Sequence, residues 1–268
     1  MMLFGHRGAS FACPENTKTA YENALTGDAG THTPVDGVEC DLHLLKDGEV
    51  VVLHDDTLRR TADSPAAAAA GHEEIMDVDV SELSWDQVKD VDVGAYKGSE
   101  WEGERILKAS EFLGLVSSHR NGAGKCASCL VELKGGDQAM VGPAVAVANA
   151  AIASGMPAET IWWISFDLEL VAAVHAAVPG TQGWHVAHVP PTEAGAAAEA
   201  SAESICIRLI DKAAAAGLNG VDIAAIPDVV TQAVHDYAKS QHIEVAVWVS
   251  SGLATRYELQ YECQFSTY

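Results

Sequence analysis

Glu39 and Asp41 stand two apart in a stretch, GVECDLHLLKDGEVVVLHD from Gly37 to Asp55, that has the composition of a strand, a turn and a return strand. Side chains two apart in a strand leave the same face, with Cα atoms roughly 6–7 Å apart, so both carboxylates can converge on one cation. Asp47-Gly48 is a strong hairpin signal, because a type I′ turn needs positive φ at both central residues. With those two residues as the whole loop, Lys46 faces Glu49 and Asp41 faces His54. Opposed residues share a face of the sheet, which puts an imidazole beside the carboxylate pair. An edge hairpin with solvated charges is the plainer account of the same residues.

The elements around that hairpin add to it. Leu3–His6 reads as a short strand with His6-Arg7 at its end, Pro14-Glu15-Asn16-Thr17 breaks the chain, and Thr17–Leu25 carries a helical pattern. After the central strand Val38–Leu45, further helices are expected at Ser81–Val88 and Ser110–His119. Strands and helices then alternate: Leu130–Lys134 and Gln138–Ser154, Thr160–Phe166 and Leu168–Ala177, Gly183–Ala187 and Ile205–Ala216. Gly220–Ala224 and Pro227–Lys239 follow, then Ile243–Val249 and Leu253–Tyr261, and a last strand at Gln264–Thr267. Eight strands in β-α alternation predict an α/β fold, a (β/α)8 TIM barrel. We expect one domain over residues 1–268, with an insertion after the second strand at approximately 56–105, a stretch too long for a single crossover.

Barrels of this kind place their chemistry at the carboxyl ends of the strands. His6 and Arg7 end the first strand, Glu39 and Asp41 lie toward the end of the second, and Glu132 and Lys134 end the third. Separately, Glu132 and Lys134 read as a strand-end ion pair of little worth, and His6 as a core histidine. Their coincidence with His54 at consecutive strand ends favours a site.

Composition narrows the function. The chain has 268 residues, 48% of them hydrophobic, and a formal net charge of −22. That charge argues against a nucleic-acid partner or an anionic membrane surface, and an anionic substrate then needs a local positive site. Six cysteines are scattered; only Cys126 and Cys129 have C-x-x-C spacing, with no second pair for zinc, so reduced thiols and a cytoplasmic location are expected. Met1 runs directly into Gly5-His6-Arg7-Gly8, and Ala139–Ala158 is broken by Gly and Pro. Neither a signal peptide nor an integral membrane segment is expected.

As a set, His6-Arg7-Gly8, Pro14-Glu15-Asn16-Thr17, Glu39-x-Asp41, Lys46-Asp47-Gly48, His54-Asp55 and Glu132-x-Lys134 resemble the glycerophosphodiester phosphodiesterase family. The likeness is dense over residues 1–60, clear again at 130–134, and weaker at Ile164-Ser165-Phe166 and Val247-Trp248. It implies a TIM barrel with a small insertion after the second strand. The implied reaction is divalent-cation-dependent hydrolysis of glycerophosphodiesters to glycerol 3-phosphate and an alcohol. By the resemblance Glu39, Asp41 and Glu132 are metal ligands and His6 and His54 the general base and acid. Arg7 and Lys134 contact the phosphate, and Trp248 contacts substrate.

The residue chemistry agrees with that assignment. Carboxylate oxygens are hard ligands suited to Mg²⁺ or Ca²⁺. The three acids, a divalent ion and two bases leave one net positive charge, which suits a monoanionic diester. Histidines titrate near neutrality and can move protons both ways. The far rim departs from the family: Val249-Ser250-Ser251 stands where Thr-Val-Asn is usual, Leu107-Lys108-Ala109 where Pro-Thr-Leu is usual, and no Asp-x-Pro closes the chain. Two other readings compete, a sphingomyelinase D-like phospholipase on a related barrel and a non-catalytic barrel that binds glycerophosphate.

Overall fold

Alternation along each strand sorts this chain into an inside and an outside. The computed structural model describes residues 2–27, 35–62, 71–120, 124–189, 201–224 and 230–248, and the backbone of 263–265. Its strands are β1 (Met2–Gly5), β2 (Gly37–Leu44), β3 (Val50–Val52), β4 (Leu107–Lys108), β5 (Ser128–Leu133), β6 (Ile161–Ser165), β7 (Gln182–Ala187), β8 (Gly220–Ala224), β9 (Glu244–Trp248) and β10 (Cys263–Phe265). On β2 and β5, Val38, Cys40, Cys129 and Val131 pack outward into the large core shared with the helices, while Leu130 joins an inner cluster with Phe4, Trp162, Ile164, Trp184 and Val186. Glu39, Asp41 and Glu132 occupy the inward positions nearer the strand ends, the alternation that a filled barrel requires.

The inner cluster plugs the barrel beneath those acids. Trp162 and Trp184 stack with centroids 5.4 Å apart, and Gly220 makes room for them, since a Cβ there would lie 2.3 Å from the Trp184 ring.

Pairing follows the alternating pattern with one correction. β1, β2, β5, β6, β7, β8 and β9 are joined in parallel register. The eighth strand, expected to complete a parallel barrel, instead runs antiparallel to both β9 and β1. Because β1 also pairs with β2, the ladder returns on itself through eight strands. An antiparallel partner needs no crossover helix between it and its neighbour.

Helices fall where the pattern predicts them, within three residues at most starts and ends. Lys18–Thr26 is capped by the Thr17 side chain and stopped by Gly27 in the left-handed region. Ala109–Ser118, Val141–Ala153, Leu168–Ala177 and Ala202–Ala215 follow. Gln232–Ser240 starts later than expected, after a Thr231 cap, and the proline-led start at residues 225–229 lies outside the described residues. So do the helix expected at 253–261 and residues 63–70, most of the alanine-rich segment Ala62–Gly71.

The stretch bounded by β3 and β4, expected as an insertion at approximately 56–105, has its own frame. β3 and β4 pair antiparallel at its two ends, Val51 with Lys108 and Val52 with Leu107. Between them Leu53, Leu58, Met76, Val80, Leu83, Val88, Val91 and Ile106 form a second apolar cluster with Leu45 and Val51. Trp85–Val88 supplies a short helix under the Ser84 cap, so the serine-capped helix expected at 81–88 is half its expected length. Among the described residues no helix is long and apolar enough to cross a membrane.

The hairpin register differs from expectation by one residue. Leu44 pairs with Val50, His43 with Val51 and Leu42 with Val52, so the position opposite Asp41 is Leu53, whose N–H donates to the Asp41 carbonyl at 3.0 Å. The loop is three residues, Lys46-Asp47-Gly48. Gly48 sits at φ 87° and donates to the Leu45 carbonyl, a type I turn closed by a left-handed residue. The insertion holds this longer loop in place: Asp47 accepts from the Trp85 N–H at 2.8 Å, and the Lys46 N–H donates to the Leu83 carbonyl.

Candidate active site

A one-residue slip within a ladder would turn His54 outward, but the ladder stops before it reaches His54. β3 ends at Val52, the chain bends, and His43 Nε2 lies 3.3 Å from the His54 carbonyl oxygen in the bend. The His54 ring thereby lines the same cavity as Glu39. His54 therefore reaches the cavity, but not through the pairing with Asp41 expected from the sequence.

Adjacent strands bring the acids together. Asp41 on β2 and Glu132 on β5 are direct register partners. One oxygen from each of Glu39, Asp41 and Glu132 lies within 4.8 Å of the others, and all three residues are buried. Glu39 Oε2 accepts from the Arg7 backbone N–H at 2.8 Å and lies 3.9 Å from His6 Nε2. Asp41 Oδ2 accepts from Asn16 Nδ2 at 2.8 Å. Lys134 Nζ lies 3.0 Å from Asp41 Oδ1 and 2.7 Å from Glu132 Oε1.

The loop after β1 is shaped for this cluster. Arg7 sits at φ 54° and Asn16 at φ 58°, a region that is uncommon for residues other than glycine and easiest for asparagine. The Arg7 carbonyl accepts from the Asn16 N–H at 3.0 Å, and Tyr21 Oη donates to Asn16 Oδ1 at 2.6 Å, which points the Asn16 amide nitrogen at Asp41. The left-handed turn at Arg7 aims its N–H at Glu39 while its guanidinium runs beside Asp41, with Nε 3.4 Å from Oδ2.

Burial sets the protonation of the trio. Burial and the charges of Asp41 and Glu132 push the Glu39 carboxyl well up. Burial, with the charge of Asp41, pushes Glu132 up to about 7. Asp41 suffers the same burial, but Lys134, Arg7 and His54 outweigh it and hold its carboxyl below the usual range. Two protein cations cannot keep three buried carboxylates charged. Glu39 Oε1 has no hydrogen-bond partner, and Asp41 Oδ1, although near Lys134, is not aligned for one. Buried oxygens without donors are costly, and a hard divalent cation satisfies them. The donor set therefore fits Mg²⁺ or Ca²⁺.

The cavity above these acids measures about 280 Å³, near the lower end of ligand pockets and suited to a small polar molecule. Its first wall is His6, Arg7, Glu39, His54, Glu132 and Lys134, seven of the eight residues singled out by sequence lining it once Trp248 is added from the opposite side. Asp41, the eighth, lies beneath, wholly buried. The opposite wall is Ile164, Phe166, Val186, His188, Asp222 and Trp248. Phe166 stacks on His188 with centroids 5.2 Å apart, and His188 meets Trp248 edge-on at 5.0 Å.

Sequence reasoning missed His188 and Asp222. Asp222 is 2% exposed, with its Oδ1 unpartnered. Burial, together with the charge of Glu132, pushes its carboxyl up to about 8. Its signal was present: an acid flanked by Val221 and Ile223 in an apolar strand takes the inward position when its neighbours face out. His188 follows β7 in a loop and had no such signal. Glu15, Asn16 and Asp55 lay inside recognised motifs without an assigned role.

Comparison with known proteins gives a family and a fold. The profile of the glycerophosphoryl diester phosphodiesterase family matches residues 6–251. A glycerophosphodiester phosphodiesterase of Caldanaerobacter subterraneus is 32% identical over 115 residues, 43% of this chain and 40% of that protein. The matched stretch thus spans under half of that relative's length. A phosphodiesterase of Oleispira antarctica, solved in complex with the product sn-glycerol-3-phosphate, superposes with a TM-score of 0.69 at 20% identity over 97% of this chain and 90% of that one. A glycerophosphodiester phosphodiesterase from Agrobacterium tumefaciens gives 0.63 at 20% identity, covering 96% and 91%. At such identities the superpositions establish a shared fold.

Proposed function

The chain belongs to the glycerophosphoryl diester phosphodiesterase family, and from that premise we propose that it hydrolyses small glycerophosphodiesters to glycerol 3-phosphate and an alcohol. The observation that carries the reading is the convergence of three buried carboxylates, two cationic side chains and two imidazoles on one cavity. Product bound to the Oleispira protein of the same fold supports the choice of substrate.

Glu39, Asp41 and Glu132 would hold a divalent cation. When bound, it supplies positive charge against the phosphate oxygens as negative charge builds on them. Arg7 and Lys134 hold the phosphate from the same wall; Arg7 is itself fixed by Glu15, which accepts from its Nη1 at 2.9 Å. His6 takes the proton of the attacking hydroxyl as its oxygen bonds to phosphorus: water gives glycerol 3-phosphate directly, whereas the substrate's glycerol 2-hydroxyl gives a cyclic phosphate that water then opens. His54 gives a proton to the alcohol oxygen as that oxygen's bond to phosphorus breaks. Its Nδ1 lies 2.6 Å from Asp55 Oδ1, which leaves Nε2 for the substrate. Trp248 and Phe166 pack against the uncharged part of the ligand and keep water from it.

Product analysis tests the reading. The purified protein, supplied with Mg²⁺ or Ca²⁺ and a panel of soluble glycerophosphodiesters, should release glycerol 3-phosphate in an enzyme-coupled assay, with one alcohol per phosphate. Turnover confined to intact lipids would favour the phospholipase reading. Ligand binding without turnover would favour the non-catalytic one.

A further inference from the structure

Arg60 lies outside the cavity, on the short helical turn Arg59–Ala62 where the insertion begins. Four of its five guanidinium N–H groups donate to two carboxylates, along two adjacent edges that share Nη2. Nε donates to Asp55 Oδ2 at 2.7 Å and Nη2 to Asp55 Oδ1 at 2.8 Å. Nη1 donates to Glu15 Oε2 and Nη2 to Glu15 Oε1, both at 2.7 Å. Each carboxylate then passes the contact inward, Asp55 to His54 Nδ1 at 2.6 Å and Glu15 to Arg7 Nη1 at 2.9 Å.

We infer that Arg60 is a positioning residue for the reaction, a double fork through which the insertion sets the orientation of His54 and Arg7 together. The inference rests on the phosphodiesterase reading for its kinetic consequence. A planar guanidinium is the one side chain that can grip two carboxylates in this way, since its five N–H groups form rigid forks. Further contacts from the insertion grip the same loop: Tyr96 Oη accepts from the Glu15 N–H at 3.3 Å, and Lys97 Nζ donates to the Ser10 carbonyl. The insertion thereby acts as a brace across the charged wall.

Electrostatics agree with the geometry. Arg60 and His54 hold the Asp55 carboxyl down at about 2. Burial pushes the Glu15 carboxyl up, but Arg60 and Arg7 together bring it below its usual range. Both acids therefore stay ionised acceptors. An ionised Asp55 fixes a proton on His54 Nδ1 and so presents Nε2 to the alcohol oxygen, the orienting role a carboxylate plays beside a catalytic imidazole.

The test separates orientation from general damage by leaving group. An alkyl alcohol needs a proton as it departs, whereas p-nitrophenolate does not. Arg60→Gln should lower kcat for glycerophosphocholine about 10–100-fold, the usual worth of a partner behind a functional side chain. The p-nitrophenyl diester of glycerol 3-phosphate should keep its kcat within about threefold, because no acid is asked for, while KM rises for both substrates as Arg7 loses its support. Arg60→Lys should resemble Arg60→Gln, since an ammonium restores the charge without the forks. Equal loss on both substrates, no loss on either, or full recovery with lysine would overturn the inference.

Melting curves check that the variants fold. If Arg60→Gln does not fold, Arg60→Lys carries the test, with the same selective loss expected. The ¹⁵N resonances of His54 give a readout free of turnover: a hydrogen-bonded Nδ1–H in the wild type, lost in Arg60→Gln. An unchanged His54 signal overturns the inference. Absence of glycerol 3-phosphate from the wild type would instead refute the phosphodiesterase reading, with the resonances still judging the brace.

Discussion

The two walls of the cavity are built on opposite plans. Strands β1, β2 and β5 with the hairpin supply one wall, dense in opposed charges: the Arg7 guanidinium with Glu15 and Asp41, and Lys134 with Asp41 and Glu132, while Glu39 accepts from the Arg7 backbone N–H. Strands β6 to β9 supply the other, made of Ile164, Val186 and an aromatic run of Phe166, His188 and Trp248, with Asp222 the one acid among its described residues. The contrast separates two tasks. Under the proposed hydrolysis, charge on the first wall would act on the phosphate, which all substrates share, and shape on the second would meet the part of the substrate that differs.

Substitutions in the first wall should therefore strike kcat, and the largest effect falls on the acids. Glu39→Ala, Asp41→Ala or Glu132→Ala should each lower turnover by about 10³-fold or more, because losing one ligand forfeits several kcal/mol of transition-state charge stabilisation. A variant of this trio that kept a tenth of wild-type turnover in the coupled assay would break the division of labour. His6→Ala and His54→Ala come next, with kcat down roughly 10²–10⁴-fold each. Their KM should change little, since Arg7 and Lys134 remain. A rise in KM at constant kcat would return that histidine to a binding role.

The second wall should respond differently. Phe166→Ala and Trp248→Ala should alter the ranking of alcohols, costing about 1–3 kcal/mol in kcat/KM for the preferred one and less for the others. Loss spread evenly over a headgroup panel would show that this wall meets the shared glycerol instead.

Asp222 should affect stability and not the choice of alcohol. Its carboxyl, pushed up to about 8 in the folded protein by burial and Glu132, ionises near 4 once unfolded. Below about pH 4 both states are protonated and the group is neutral in the balance. As pH rises toward about 8 the unfolded state alone ionises, so wild-type stability falls over that window. In chelator-treated protein Asp222→Asn should therefore match the wild type near pH 4 and exceed it by a few kcal/mol at most, about 2–4, near pH 8. Parallel urea midpoints across the range would contradict this.

The same contrast governs what could be read from the sequence. The first wall was legible because its residues are charged, closely spaced and set on strands whose period of two assigns faces: Glu39 with Asp41, Glu132 with Lys134. Its hairpin was only half legible. Asp47-Gly48 signalled a turn, but the loop length depends on the contacts of Asp47 and Lys46 with Trp85 and Leu83, some 40 residues away in sequence. His54 reached the cavity because its strand ended early, a choice made by tertiary packing. The second wall was nearly silent, since Phe166 and His188 look like any aromatic after a strand until the barrel brings their ends together. The antiparallel eighth strand was equally hidden: strand composition carries no direction.

Whether the carboxylate trio works as a cation site is the claim from which the rest of this account follows. Its most direct measurement is glycerol 3-phosphate release after exhaustive chelation and again after return of Mg²⁺ or Ca²⁺, in the wild type and in Asp41→Asn. Chelation should abolish wild-type turnover, one of the two ions should restore it, and Asp41→Asn should stay inactive whichever ion is added. Undiminished turnover in the chelated wild type would contradict the claim.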